Sequence, residues 1–283
     1  MKKTILFLAT FLITNIVSAQ QNVVYVDEDI EIFNQYISYI LEKKHKEDLD
    51  YILENTAIYF LEKPYVAHRL EIEGNEKLVV NLREFDCTTF VETVIALSQT
   101  VSSKVLTFEN FINKLETLRY REGVLDGYSS RLHYFTDWIF DNEQVGLLKD
   151  ITIQLGGITE KKSIDFMSTH RDAYSQLKVN DETLNKIIDV EKVINDRGII
   201  SYIPKANIDD ITNIVPHMSV LAFSTSIKGL DVTHTGFVFQ KGGKLTFIHA
   251  SSSKNKVIID SLSISEYCNS QKSCTGIILA KLL

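Results

Sequence analysis

The sequence predicts an α+β fold, and three observations predict it. Apolar residues recur at helical spacing through the first two-thirds of the chain. Short runs rich in β-branched and aromatic residues, separated by turn residues, fill the last third. One of those turns, Gly242-Gly243, is a preferred two-residue hairpin loop. Helices grouped ahead of strands argue against an alternating, parallel α/β sheet.

Taken in order, Ile32, Phe33, Tyr36, Ile37 and Ile40 form one helical stripe, and Leu49, Ile52, Leu53 and Ala57 a second. Pro64 and Gly74-Asn75 mark a loop, followed by a short apolar piece from Leu78 to Leu82. Phe85 to Ser98 reads as a strongly apolar helix with Phe90, Val91, Val94, Ile95 and Leu97 facing a core. Phe108, Phe111, Ile112, Leu115 and Leu118 mark another, with Thr107 as its N-cap. An aromatic-dense stretch runs from Arg131 to Asn142. Ile151 to Leu155 is expected to be a strand ending at Gly156-Gly157, and Asp181 to Asn195 a helix that stops at Gly198. After Pro204 the expected strands are 220–223, 233–240, 245–250, 257–259 and 275–282.

Met1 to Ala19 reads as an export leader. Met1-Lys2-Lys3 supplies the positive start, Ile5 to Val17 the apolar run, and Val17-Ser18-Ala19 a small-residue cleavage site. That run is short for a membrane span, and no Cys stands near the cleavage site to take a lipid. The expectation is one exported domain over 20–283, periplasmic or extracellular and free of the membrane once the leader is cut. Its 20–204 part is mainly helical and its 205–283 part mainly β. Losing Lys2 and Lys3 takes the net charge from −7 to −9, which argues against a nucleic-acid partner.

The chain has 3 Cys in an oxidising setting. Cys268 and Cys274 flank a short polar segment and are expected to pair, which leaves Cys87 alone. Asp86 stands immediately before the apolar helical run, a natural N-cap, and places Cys87 in the first helical position. The positive end of a helix favours thiolate over thiol, and its free N–H groups can hold an oxyanion. A lone Cys is more often a small buried apolar residue; the histidines reverse that preference. With Gly242-Gly243 as the loop, Lys241 pairs with Lys244, Val238 with Phe247 and Gly236 with His249. His234 then shares a face with Gly236 and becomes the diagonal neighbour of His249. A one-residue slip would send the two histidines to opposite faces. A base held by a further polar group is what nucleophilic catalysis requires. His217 is expected to be structural.

At these residues the sequence resembles the NlpC-type cell-wall cysteine hydrolases, which are papain-related, and within them the N-acetylmuramoyl-L-alanine amidase-like branch. The resemblance lies in Pro64-Tyr65-Val66, Leu70-Glu71, the run Asn81 to Glu92 around Asp86-Cys87, the segment Arg131 to Trp138, His234-Thr235-Gly236-Phe237-Val238 and Phe247-Ile248-His249-Ala250. It implies a helical portion, with helical insertions, packed on an antiparallel barrel-like sheet with a groove between them. It implies Cys87 as nucleophile, His234 as base and His249 as the orienting third member. Tyr65, Arg131, His133, Tyr134, Asp137 and Trp138 would then bind substrate as a groove wall. The chain departs from the pattern before its first core strand, where such enzymes carry Gly-Asp and this one Pro216-His217-Met218-Ser219.

The implied activity is hydrolysis of a peptidoglycan amide, the bond from the muramoyl group to L-Ala, with no metal and no cofactor. Two alternatives remain open on sequence: cleavage between D-Glu and the diamino acid of the stem peptide, and a wall-binding protein without activity. A zinc amidase would need three spaced ligands, and no His-Glu-x-x-His pattern is present.

Overall fold

The computed structural model describes residues 22–43 and 48–283, and the expected leader lies outside them. A short strand β1 (Val23–Val24) precedes helices α1 (Asp27–Glu42) and α2 (Leu49–Tyr59), then β2 (Leu78–Val79), α3 (Cys87–Ser102) and α4 (Phe108–Arg119). The predicted caps form. Asp86 accepts from the N–H of Thr89 at 2.8 Å while Thr89 Oγ1 accepts from the N–H of Asp86 at 2.9 Å, and Thr107 Oγ1 accepts from Asn110 at 3.1 Å. Asp29, fully buried in α1, accepts from Leu82 N–H at 2.8 Å and from Arg83 Nε at 3.1 Å. It thereby ties the first helix to the approach to α3.

The chain continues through α5 (Phe135–Gln144), β3 (Leu148–Asp150), β4 (Ile158–Glu160), α6 (Phe166–Thr169), α7 (Ser175–Lys178), α8 (Asp181–Asp196) and β5 (Ile200–Pro204). It ends with β6 (Val220–Thr225), β7 (Val232–Lys241), β8 (Lys244–Ser251), β9 (Lys256–Ile259), α9 (Ile264–Ser270) and β10 (Cys274–Leu282). Ile151 to Leu155 is not a strand. Asp150 Oδ1 accepts from Thr152 N–H at 2.8 Å, and Leu155 N–H reaches back to Ile151 O at 3.1 Å, so the chain turns instead.

The main sheet is antiparallel with strand order β4-β5-β10-β6-β7-β8-β9, and β3 adds to β10. Three of its strands come from the part expected to be mainly helical. The hairpin register is the one its Gly-Gly loop predicts, with Val238 opposite Phe247 and Lys241 opposite Lys244. The sheet does not close into a barrel: it is open, ending on β4 and β9. The loop after α2 covers the β9 edge, where Glu62 N–H donates to Val257 O at 3.0 Å and Val257 N–H to Lys63 O at 2.8 Å. That satisfies the edge without closure.

Both sheet faces are covered. Val220, Ala222, Phe237, Phe239, Ile248, Ala250 and Ile278 join the helical core, where Phe90 of α3 meets Phe237 edge-on at 6.1 Å. Leu221, Phe223, Val238, Phe247 and Leu279 pack on the other side with Ile264 and Cys268 of α9. Cys268 and Cys274 form a disulfide that closes α9 onto β10. In the departing turn before β6, Met218 takes φ 57°, the left-handed region that favours glycine. Its side chain is buried and its N–H donates to Val238 O at 2.9 Å, which holds the strained residue in place.

Arg119 of α4 and Glu92 of α3 form a buried pair, 2.7 Å apart, and Arg119 also donates to Val79 O at 2.6 Å. Burial raises the Glu92 carboxyl above its ordinary range in spite of Arg119. Arg119→Met is expected to cost about 3–5 kcal/mol because it strands a buried carboxylate, whereas adding Glu92→Met should recover most of that loss. Urea denaturation of both variants checks this; equal destabilisation would contradict it.

Candidate active site

Cys87 is the first residue of α3, half-buried and in no disulfide. Thr235 and Thr88 lie beside its sulfur and favour its charged form. The buried Oγ1 of Thr235 has no hydrogen-bond partner. The thiol therefore stands beside β7 one residue from His234. No hydrogen bond joins Cys87 to His234, and catalytic pairs of this kind often tighten only in the Michaelis complex.

The two histidines meet as the register requires. His234 Nε2 and His249 Nδ1 are 2.6 Å apart, with the rings nearly perpendicular at 86°. Gly236 is what makes this possible: a Cβ there would stand 2.7 Å from Ile248 O and 3.0 Å from the His249 Cβ. His249 Nε2 lies 3.1 Å from Asp260 Oδ2, which extends the chain to a carboxylate. Phe223, Phe247 and Tyr267 enclose the rings, with Phe223 stacked on His234 at 6.2 Å between centroids.

Electrostatics correct one expectation. The helix start was expected to favour thiolate; instead burial, with the adjacent Asp86, pushes the Cys87 thiol up to about 11. Burial, then His249, takes His234 down to about 3, and burial also lowers His249. Burial works against the Asp260 charge, yet hydrogen bonds from His249 and Leu262 bring its carboxyl below the usual range. The resting pair is thus neutral thiol and neutral imidazole. Tyr65 and Tyr267 are each raised to about 12, chiefly by burial, and each feels the Cys87 charge. Tyr65 is fixed there by a parallel bridge to Phe85, with Val66 N–H donating to Phe85 O at 2.9 Å.

The remaining groove-wall residues do not form an open wall. Trp138 is fully buried and stacks on Phe135 at 4.8 Å; Tyr134 is 2% exposed and donates to Glu191 at 2.7 Å. Asp137 is buried between Arg121 and Arg197, and Arg131 is buried against Glu71 at 2.9 Å and Glu76 at 3.2 Å. His133 holds Tyr128 O at 2.9 Å. Their pattern of aromatics and charges is a core with its ions paired. His217 bonds Glu54 at 3.2 Å and accepts from Gln240 N–H at 3.1 Å, away from the thiol chain. Three site residues were missed in the sequence: Thr235, Asp260 and Tyr267. The signal for Asp260 was present, since the β8–β9 register sets His249 opposite Ile258 and Asp260 two residues on, on the same face.

Two cavities lie elsewhere. One of about 760 Å³ is lined by Glu71, Glu76, Tyr128 and Gln176, and one of about 250 Å³ by Phe140, Lys162 and Arg197; neither is lined by Cys87, His234 or His249. Among the described residues no group of three or more His, Cys, Asp or Glu side chains is disposed to hold a metal ion. No helix there is long and apolar enough to cross a membrane.

Two consequences are measurable. Alkylation of Cys87 by iodoacetamide should accelerate steadily from about pH 7 to about pH 10; a plateau below about pH 6 would instead mean a resting thiolate. His133, lowered from 6.5 to about 3 by burial and then by Arg131, is neutral when folded and protonated when unfolded below its ordinary value. The unfolded chain binds more protons in that window, so this group removes stability as pH falls from 6.5 toward 3. Asp231 and Glu92, raised by burial, run oppositely: their contribution is lost as pH rises. The test is therefore differential. Between about pH 7 and about pH 4.5, urea midpoints should fall more for the wild type than for His133→Gln, and equal falls would refute the assignment.

The model of an AmiA-like, N-acetylmuramoyl-L-alanine amidase-like family matches residues 55–277. A crystal structure of an N-acetylmuramoyl-L-alanine amidase from Bacteroides uniformis is 35% identical, with a TM-score of 0.75 over 83% of this chain and 98% of that one. A Bacteroides fragilis structure carrying a provisional xylanase name is 33% identical, with a TM-score of 0.75 over 80% of this chain and 99% of that one. A Legionella pneumophila protein at 21% identity and a TM-score of 0.68, over 90% of this chain and 94% of that one, shares the fold. No curated protein matches the chain. With the matched span covering both Cys87 and the histidine hairpin, the chain belongs to the N-acetylmuramoyl-L-alanine amidase-like family.

Proposed function

We propose that this chain is an exported cysteine amidase of peptidoglycan that cuts the bond between the muramoyl lactyl group and L-Ala. One observation carries the reading: a thiol at a capped helix start stands beside the strand that bears His234, itself linked through His249 to Asp260. Family membership supplies the substrate class, and the resemblance to NlpC-type, papain-related hydrolases agrees with the residue types.

The chemistry follows from the neutral resting pair. As the Cys87 sulfur attacks the carbonyl carbon, His234 takes the thiol proton, so the imidazolium forms only as the thiolate is consumed. N–H groups at the start of α3 hold the developing oxyanion. His234 then gives its proton to the leaving L-Ala nitrogen, the C–N bond breaks, and an acyl thioester remains. Water, deprotonated by His234, attacks the thioester; the C–S bond breaks and the thiol is restored. Tyr65 and Tyr267, both close to the thiol, form the rim a peptide would meet. A xylanase mechanism needs two carboxylates facing across a cleft. Here the Asp260 carboxylate is engaged by His249.

Defined muropeptides incubated with the protein and analysed by mass spectrometry provide the test. Free stem peptide plus intact sugar is expected, with Cys87→Ala inactive and His234→Gln about 10²- to 10⁴-fold slower. Cleavage between D-Glu and the diamino acid would keep the mechanism and change the bond. No product from any muropeptide would sink the amidase reading and leave a wall-binding role.

A further inference from the structure

The chain His234–His249–Asp260 admits one consistent placement of protons. Asp260 is held rigidly: its N–H donates to Phe247 O at 2.9 Å, its carbonyl accepts from Thr246 Oγ1 at 2.8 Å, and its Oδ1 accepts from Leu262 N–H at 2.8 Å. Its Oδ2 faces His249 Nε2 at 3.1 Å. An ionised carboxylate only accepts, so Nε2 of His249 must carry the hydrogen. A neutral imidazole has one N–H, which makes Nδ1 of His249 an acceptor. That nitrogen lies 2.6 Å from Nε2 of His234, which must therefore donate. The remaining nitrogen of His234, Nδ1, then carries the lone pair.

We infer that Asp260 is a positioning residue that places the proton on Nε2 of both histidines and so leaves Nδ1 of His234 free to act as the base. The inference rests on the reading of Cys87 and His234 as nucleophile and base, and it adds a fourth member that touches neither substrate nor sulfur. When His234 takes the thiol proton it becomes an imidazolium whose Nε2–H already points at a neutral acceptor. That acceptor is polarised through its own Nε2–H by the Asp260 carboxylate. The proton need not move along the chain. The carboxylate acts by holding the donors and acceptors in one order inside an apolar enclosure, where a reversed order would set the bare Nε2 of His249 against the Asp260 carboxylate.

The same geometry makes Asp260→Asn a sharp probe. Leu262 N–H requires an acceptor at the Oδ1 position, so the new amide oxygen is held there and its NH₂ is turned toward His249. His249 Nε2 must then accept, its proton shifts to Nδ1, and His234 is driven to carry its own hydrogen on Nδ1. The base is lost while shape is conserved.

The experiment is nitrogen-15 NMR of histidine-labelled, folded protein near neutral pH, beside steady-state kinetics on a muropeptide. The wild type should show both His234 and His249 protonated on Nε2, and Asp260→Asn should show both on Nδ1. Asp260→Asn should lower kcat by about 10²- to 10⁴-fold with KM changed less than about twofold. Wild-type His249 protonated on Nδ1, or unchanged tautomers in Asp260→Asn, would overturn the inference. If Asp260→Asn does not fold, the wild-type spectrum alone decides it. A wild type that cleaves no muropeptide yet shows both Nε2 tautomers would refute the proposed reaction and leave the role of Asp260 in place.

Discussion

Almost every feature of the site depends on the burial of α3. Of its residues only a few near the ends reach solvent, and the interior from Phe90 to Ser98 is enclosed on all sides by α2, α4 and the sheet. A helix that is apolar all round has no free rotation about its axis, because every face has a different partner. Phe90 against Phe237, Ser98 against Thr56 at 3.2 Å and Glu92 against Arg119 at 2.7 Å each fix a different side. The orientation of the first turn, and with it the sulfur of Cys87, follows from that packing. The Asp86 cap ends the helix at a fixed residue, so the thiol is fixed along the axis as well.

The same burial sets the electrostatics. Low polarity around the sulfur and the imidazoles disfavours both charged forms. Burial thus favours a neutral thiol and a neutral imidazole over the ion pair that a helix end stabilises. In the proposed reaction charge appears only as bonds form at the substrate, beside the N–H groups of the α3 start and the His249–Asp260 couple. Such an arrangement stores its preference in geometry and disfavours a reactive resting thiolate. The disulfide between Cys268 and Cys274 removes the other two thiols from reach and pins α9, which brings Tyr267 over the histidines.

Sequence reasoning succeeded where the governing interaction is local. The Asp86 cap and the Gly242-Gly243 register depend on residues within a few positions of one another. Sequence pattern alone does not place the segment 131–138, because aromatics interleaved with charges describe a ligand groove and an ion-paired core equally well. Arg131 is buried by Glu71 and Glu76, some sixty residues earlier, and Asp137 by Arg121 and by Arg197, sixty residues later. It also assumed closure of the sheet, whereas the loop at Glu62-Lys63 satisfies the β9 edge. The left-handed Met218 had no local signal, since a bulky residue is not expected there and only its buried contacts hold it.

The amino-acid sequence by itself determined helices α1 to α4 and α8, the strands after Pro204, the hairpin that aligns His234 with His249, and the helix start that presents Cys87. Each follows from propensities, caps and the two-residue period of a strand, all of which act over a few residues. Tertiary structure alone decided that Thr235 lies beside the sulfur, that Asp260 reaches His249, and that burial disfavours charge on Cys87. Those outcomes depend on which surfaces lose water and on contacts between distant segments, and burial is a property of the assembled chain.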